Sequence, residues 1–388
     1  MSNRTAAAWL ILTGCVSIYP EEGETMNIKQ ILFRNRCGAE LNHAELAYML
    51  ELTNPAEREV LFREARRIRQ QNFGPEVFLY GFVYFSTYCR NGCRFCGFRS
   101  QNRQSIRYRR SREEILEAAV RLRDSGVNLL DLTMGEDPYY LNDGECGYER
   151  LLEIIRAVRE ETGLPLMVSP GVVPESLLPL LREAGADWYA LYQETHTPAL
   201  YDRLRLDQPY QERWERKLSA RRCGLLVEEG LLTGVGDTTA DQIHSLRQME
   251  LLGARQVRTM TFVPQKGTPM ETVQAGSCSR ELNLIAVMRL LFPDRLIPAS
   301  LDVEGLHGLK SRLDAGANVV TSLIPPDAGL AGVAQSEKDI GDGARTVQGI
   351  QPVLARCGLR AASPKQYAQW LNVAHRQDCR NERKKVSV

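Results

Sequence analysis

The run Cys89-Arg90-Asn91-Gly92-Cys93-Arg94-Phe95-Cys96 places three thiols within eight residues. Three thiolates on one short loop can hold three irons of a cubane cluster and leave the fourth iron without a protein thiolate. The open iron has a chemical use, since a small molecule carrying an amine and a carboxylate can chelate it. Arg90, Arg94 and Arg99 lie among and just after the cysteines. Their charge is expected to favour the thiolate form and to offset the negative charge of a ligated cluster. A zinc site competes poorly, because C-x3-C-x2-C has no second paired ligand group nearby and structural zinc takes four ligands.

Such a loop needs a rigid rim. Apolar, β-rich runs read as strands at Phe82–Ser86, Leu129–Thr133, Leu166–Ser169, Trp188–Tyr192, Leu231–Val235, Val257–Val263, Leu296–Leu301 and Asn318–Leu323. Amphipathic stretches such as Arg112–Asp124 and Arg150–Glu161 read as helices between them. Eight βα units in about 250 residues suit an α/β fold closed as a (β/α)8 TIM-type barrel. An open doubly wound sheet would need a phosphate-binding glycine fingerprint after the first strand, and none is found. Barrel chemistry belongs at the strands' C-terminal ends, and the cysteine loop directly follows the first strand. Ahead of the barrel, His43 to Gln71 carries helical periodicity with Asn54-Pro55 as cap and first turn, predicting two short helices before the core.

The expected partition is an extension over 1–25, a helical lead-in over 26–77, the barrel over 78–330 and a helical extension with a basic tail over 331–388. Residues 331–347 are rich in Gly, Ser and Asp, Pro352–Leu371 reads as helix, and Arg383, Lys384 and Lys385 read as a solvated end. Ala6–Ile18 is apolar and contains Leu12-Thr13-Gly14-Cys15, a string like a lipoprotein cleavage site. Against that reading, only Arg4 precedes it, and about 13 residues are too few to span a bilayer. Met26 offers a second start, and an untranslated or unstructured extension is the favoured reading.

Lys and Arg number 49 against 48 Asp and Glu, so no global field gathers nucleic acid or an anionic membrane. Small molecules are the expected partners. Ten cysteines, three of them crowded and seven scattered, are unlike a secreted disulfide scaffold and suit the reducing cytoplasm. The seven are expected to be structural thiols.

The cysteine spacing, with Phe95 before the last thiol, resembles that of the radical SAM enzymes, and the chain is identified as a member of that family. The resemblance implies a [4Fe-4S] cluster whose open iron binds S-adenosyl-L-methionine (SAM) through its amine and carboxylate. It further implies that Glu136, in Thr133-Met134-Gly135-Glu136-Asp137, accepts the methionine amine. Glu194, in Tyr192-Gln193-Glu194-Thr195, resembles the ribose-binding acid of the biotin synthase-like branch, and Arg205 its contact to the SAM carboxylate, with Ser169 assisting. His196 reads as a rim residue. Gly234-Val235-Gly236 and Phe262-Val263-Pro264 match backbones against which that family lays adenine.

Tyr84-Phe85-Ser86-Thr87-Tyr88-Cys89, Asp131 to Tyr139 and Pro298-Ala299-Ser300-Leu301-Asp302 narrow the resemblance to the methylornithine synthase family of pyrrolysine biosynthesis, over residues 42–335. Its departures are the N-terminal extension, a longer loop around Gly144–Gly147, and Gly97 directly after the last cysteine. The implied activity is a radical isomerisation of L-lysine to 3-methylornithine. Hydrogen abstraction would be followed by fragmentation to a glycyl radical and an aminobutene, and then by recombination. No residue is needed as general acid or base. An external low-potential electron donor is implied, and nothing demands more than a monomer. Asp131, Arg258, Ser300 and Asp302 fall at or near strand ends. One guanidinium and two carboxylates match lysine's one carboxylate and two ammoniums, with Arg258 on the carboxylate and Ser300 adding a hydrogen bond. Biotin synthase-like sulfur insertion would need further cluster ligands inside the barrel, and no spare cysteine fits. A hydrogenase-maturase-like enzyme shares the SAM frame, whereas an iron-sulfur carrier or sensor would need no pocket.

Overall fold

The structure is a computed structural model that describes residues 27–325 and 344–386, with side chains as far as residue 378. The apolar run with Cys15, the Met26 start, most of the Gly/Ser-rich segment and the basic side chains of the tail lie outside the described residues. Among the described residues no helix is long and apolar enough to cross a membrane.

Three helices lead in: Ile28–Arg36, His43–Leu50 and Pro55–Phe73. Asn42 and Glu45 close a capping box on the second, and Asn54 caps the third with Pro55 in its first turn, as that dipeptide predicts. Eight parallel strands follow: β1 (Glu76–Ser86), β2 (Leu129–Met134), β3 (Leu166–Ser169), β4 (Ala186–Ala190), β5 (Leu226–Thr233), β6 (Gln256–Thr261), β7 (Pro298–Ser300) and β8 (Val319–Leu323). Their order is β6-β5-β4-β3-β2-β1-β8-β7. Only a short bridge joins the outer pair, where Val257 N–H donates to Leu296 O at 3.0 Å and Leu296 N–H to Arg255 O at 3.1 Å. The result is a nearly closed barrel.

Above that bridge β6 has no ladder partner on β7. A buried carboxylate takes the ladder's place: Glu281, from the helix Cys278–Leu291, accepts the Thr261 N–H at 2.9 Å and its hydroxyl at 2.7 Å. Arg312 Nη2, at 3.0 Å, neutralises it. A buried backbone donor without an acceptor costs roughly 1–3 kcal/mol, which this pair avoids.

Alternation along β1 separates two cores. Val77, Leu79, Val83 and Phe85 pack with the surrounding helices, while Phe78, Tyr80, Phe82 and Tyr84 join Met167, Trp188 and Leu226 inside the barrel. The barrel's lower end is plugged by the helix Pro364–Val386. Trp370 stacks on Trp188 with centroids 5.8 Å apart, and the hydroxyls of Tyr367 and Tyr80 meet at 2.8 Å.

The single helix read over Pro352–Leu371 is two, Val347–Arg356 and Pro364–Val386. Gly358, at φ +67°, ends the first in a conformation that favours glycine, and a two-residue strand, β9 (Arg360–Ala361), pairs with β1 before the second begins. The loop read around Gly144–Gly147 is the first turn of the helix Gly144–Thr162. β5 starts five residues before the run Leu231–Val235, because Glu228 and Glu229 read as polar yet are fully buried.

Candidate active site

The loop after β1 is held from both sides. Arg107 donates to the carbonyls of Phe98 at 2.9 Å, Arg99 at 2.7 Å and Asn102 at 3.2 Å. Arg109 pairs with buried Asp137 through two bonds of 2.8 Å, and Ser86 Oγ donates to the same carboxylate at 2.5 Å. So fixed, Cys89, Cys93 and Cys96 are free thiols lining one cavity. None of the three neighbouring arginines donates a side-chain hydrogen bond to a described thiol. Burial pushes the Cys89 thiol up to about 11 and also raises Cys96. Arg90 is spent on Glu136 and Asn142, and Arg94 is exposed. Arg205 and Gln208 instead reach Cys93 Sγ, at 3.4 and 3.1 Å.

The rim above the strands carries the residues expected to hold SAM. Glu136 follows β2, and its Oε1 accepts from Val172 N–H at 2.9 Å and Arg213 Nη2 at 3.3 Å, its Oε2 from Arg90 Nε at 3.2 Å. Gly171 makes room for it, since a Cβ there would stand 1.9 Å from Glu136 Cγ. Glu194 has φ +67°, which costs a non-glycine residue about 1–3 kcal/mol. Its backbone bonds to Gly230 and Leu232 hold it there. One carboxylate oxygen takes Arg205 Nη2 at 3.2 Å, and burial raises its pKa. The other, Oε2, is buried without a partner, as is Arg205 Nε. Ser169, closing β3, donates to Asp131 at 2.9 Å. His196 is no rim residue: it is fully buried, 3.4 Å from Glu229, which pairs with buried Lys217.

The floor holds the charges expected to meet substrate. Asp131 accepts from Thr133 and Ser169, both at 2.9 Å, and burial, with the nearby Glu228 charge, pushes it up to about 7. Arg258 lies over the rings of Tyr192 and Phe82 and donates through Nε to Glu228 Oε1 at 2.8 Å. Its Nη2 is buried without a partner. Burial alone would lower its pKa, but Glu228 outweighs this and holds the guanidinium charged. Asp302 accepts from Ser322 Oγ at 2.6 Å and pairs with buried Arg345. Ser300 sits lower in β7, outside the cavity lining, where its Oγ accepts the Asp302 N–H at 3.3 Å.

Glu228, Arg345, Arg213 and Gln208 were not legible as site residues. Glu228 alone had a signal, a charged residue three positions before a strand-like run. The cavity is bounded by the three cysteines, Glu136, Glu194, Arg205, Asp131, Arg258 and Asp302. The residues fit the implied groups. The loop carries three free thiols, and an orphaned carboxylate oxygen and guanidinium nitrogen stand beside it. Among the described cysteines, none besides these three lines the cavity.

The profile of the Radical SAM superfamily matches residues 83–249. The chain is 44% identical to the 3-methylornithine synthase of Methanosarcina acetivorans, over 84% of this chain and 91% of that one. It is 31% identical to the [FeFe] hydrogenase maturase subunit HydE of Thermotoga maritima, over 72% and 80% respectively. The crystal structure of methylornithine synthase (PylB) superposes with a TM-score of 0.83 at 42% identity, covering 87% of this chain and 99% of that chain.

Proposed function

This chain belongs to the radical SAM superfamily and, within it, to the methylornithine synthase family, and from that premise we propose that it isomerises L-lysine to 3-methylornithine, the first step of pyrrolysine biosynthesis. The observation that carries the reading is the joining, in one cavity, of a three-cysteine loop to a floor of matched charge. Two guanidiniums, Arg258 and Arg345, face three carboxylates, Asp131, Glu228 and Asp302. With all ionised, the floor carries one negative charge, and lysine is a monocation. Asp131, Arg258 and Asp302, the expected one base and two acids, line the cavity, and Glu228 and Arg345 stand behind them as buried partners that leave the net sign unchanged.

Cys89, Cys93 and Cys96 would hold three irons of a [4Fe-4S] cluster. Glu136, fixed by Val172 and Arg213, has lone pairs left for the methionine amine of SAM. Arg205 Nε, buried without a partner, would take its carboxylate, and Glu194 Oε2, likewise open, its ribose hydroxyls. Ser169 lines the same cavity and assists there, its hydroxyl donating to Asp131. When bound, the reduced cluster and SAM would supply the radical chemistry for hydrogen abstraction, with the electron from an external low-potential donor. Substrate and product are isomers, so the chain's own groups need move no net proton; their work is to bind, orient and confine. Arg258 Nη2 meets the lysine carboxylate, Asp131 and Asp302 take the ammoniums, and Ser300 acts through Asp302. Confinement matters because glycyl and aminobutene fragments must rejoin without escaping. Free thiols suit the reducing cytoplasm, and one monomer carries every residue required.

The test is anaerobic reconstitution with reductant, SAM and uniformly labelled lysine. A methyl-branched isomer of unchanged mass, absent without SAM or in Cys93→Ala, is the expected product. Cleavage of SAM with lysine unconsumed would overturn the substrate assignment in favour of a maturase-like enzyme.

A further inference from the structure

The three cysteines do not have equivalent surroundings. Cys93 is the one whose sulfur takes side-chain donors in this structure, Gln208 Nε2 at 3.1 Å and Arg205 Nη1 at 3.4 Å. Both come from the segment joining the helices Pro198–Leu204 and Tyr210–Arg222, and that segment is fastened to the cysteine loop by Arg94 N–H donating to Leu204 O at 2.9 Å. Asp207, at φ +57°, turns the chain immediately before Gln208. Asp is among the few residues that enter this region readily.

The Gln208 amide is also held at its other end. Its Oε1 accepts from Arg213 Nη2 at 3.1 Å, and the same nitrogen donates to Glu136 Oε1 at 3.3 Å. Arg213, a donor only, therefore fixes which end of the amide is oxygen and leaves the NH2 toward sulfur. The chain of contacts runs from Glu136 through Arg213 and Gln208 to Cys93.

We propose that Gln208 is a tuning residue for the cluster, raising its reduction potential by donating an amide hydrogen bond to the Cys93 sulfur in an orientation locked by Arg213. The physical reason is charge. Adding an electron makes the cluster more negative, and a donor pointed at a sulfur ligand stabilises the reduced form more than the oxidised one. Arg205 acts in the same sense, but it is itself assigned to SAM and also meets Glu194 and Tyr192 O. Gln208 touches no group assigned to SAM directly and reaches Glu136 only through Arg213, so Gln208 is the residue to alter. The inference rests on the [4Fe-4S] reading and is independent of which substrate is isomerised.

The experiment is a potentiometric titration, followed by electron paramagnetic resonance, of the full-length reconstituted protein without SAM or lysine. Gln208→Leu removes the donor. Gln208→Glu keeps the shape and replaces the donor by an acceptor. Both are expected to load the wild-type amount of iron and to shift the midpoint to more negative potential, with Gln208→Glu shifting further. Unchanged midpoints at full iron content would overturn the proposal. If Gln208→Leu fails to load iron, the isosteric Gln208→Glu decides alone. A wild-type protein with no reducible cluster would overturn the cofactor reading as well, whereas a normal wild type beside unshifted variants overturns the tuning role only.

Discussion

At the rim of the cavity, Glu194 Oε2 and Arg205 Nε are buried without partners, and the cysteine thiols are free. On the floor, Arg258 already has Glu228, Asp302 has Arg345 and Ser322, and Asp131 has Thr133 and Ser169. The thiols stand open for another group, and the rim pair Glu194–Arg205 keeps one open atom on each side, whereas most of the floor is compensated within the fold. This difference separates stability from function. Substitutions of the rim thiols should cost binding and leave the fold nearly untouched, while substitutions on the floor, or in the buried Glu194–Arg205 pair, should cost both, because removing one member of a buried pair strands its partner.

The largest effect is expected at the rim. Cys93→Ala should abolish cluster assembly and SAM cleavage while the melting temperature of the metal-free protein changes little, which iron analysis and calorimetry would check. A large loss of stability in that variant would break the comparison. On the floor, Arg258→Ala should keep cluster and SAM binding, abolish lysine turnover and lower stability by about 3–5 kcal/mol, because Glu228 is left buried and unpaired. Adding Glu228→Gln should restore part of the stability and none of the turnover. Unchanged lysine affinity in Arg258→Ala would refute the assignment to the carboxylate.

A smaller effect is expected from pH. Asp131 has a folded pKa of about 7, raised from an exposed value near 4, chiefly by burial. A raised carboxyl pKa means that the folded state holds the proton more tightly. Its contribution to stability is therefore present below about pH 4 and lost as pH rises towards about 7. Lysine binding should run the other way, since an ammonium needs the ionised carboxylate. Affinity measured by calorimetry should rise by up to about tenfold per pH unit below 7 and level off above it. Asp131→Asn should flatten both trends, and a pH-independent affinity in the parent protein would remove Asp131 from the site. Ser300→Ala should have the smallest effect, about 0.5–1.5 kcal/mol of lysine affinity, the worth of one hydrogen bond acting through Asp302. A loss as large as that of Arg258→Ala would mean direct contact with substrate.

All eight barrel strands were legible as β-rich runs, with β3 placed to the residue, although β1 begins six residues before Phe82 and β4 two before Trp188. The error at β5 has a physical origin. Glu228 and Glu229 are tolerated inside a strand only because Arg258 and Lys217, from other elements, neutralise them. The role of the last helix was equally hidden. Trp370 and Tyr367 read as one apolar face, but nothing local shows that this face plugs the barrel against Trp188 and Tyr80.

Local chemistry decided the iron-binding loop, since three thiols at that spacing must lie within reach of one another wherever the chain goes. Strand-end placement likewise put Glu136, Glu194, Asp131 and Arg258 at one mouth, because successive parallel strands of a barrel present their C-terminal ends together. Tertiary structure alone decided the state of those groups. Whether a thiol is shifted by its neighbouring arginines or by burial, whether Arg258 stands alone or with Glu228, and which sulfur receives Gln208 all depend on segments far apart in the chain. Charges are compensated by whatever lies within a few ångströms, and spacing along the sequence carries no information about that distance.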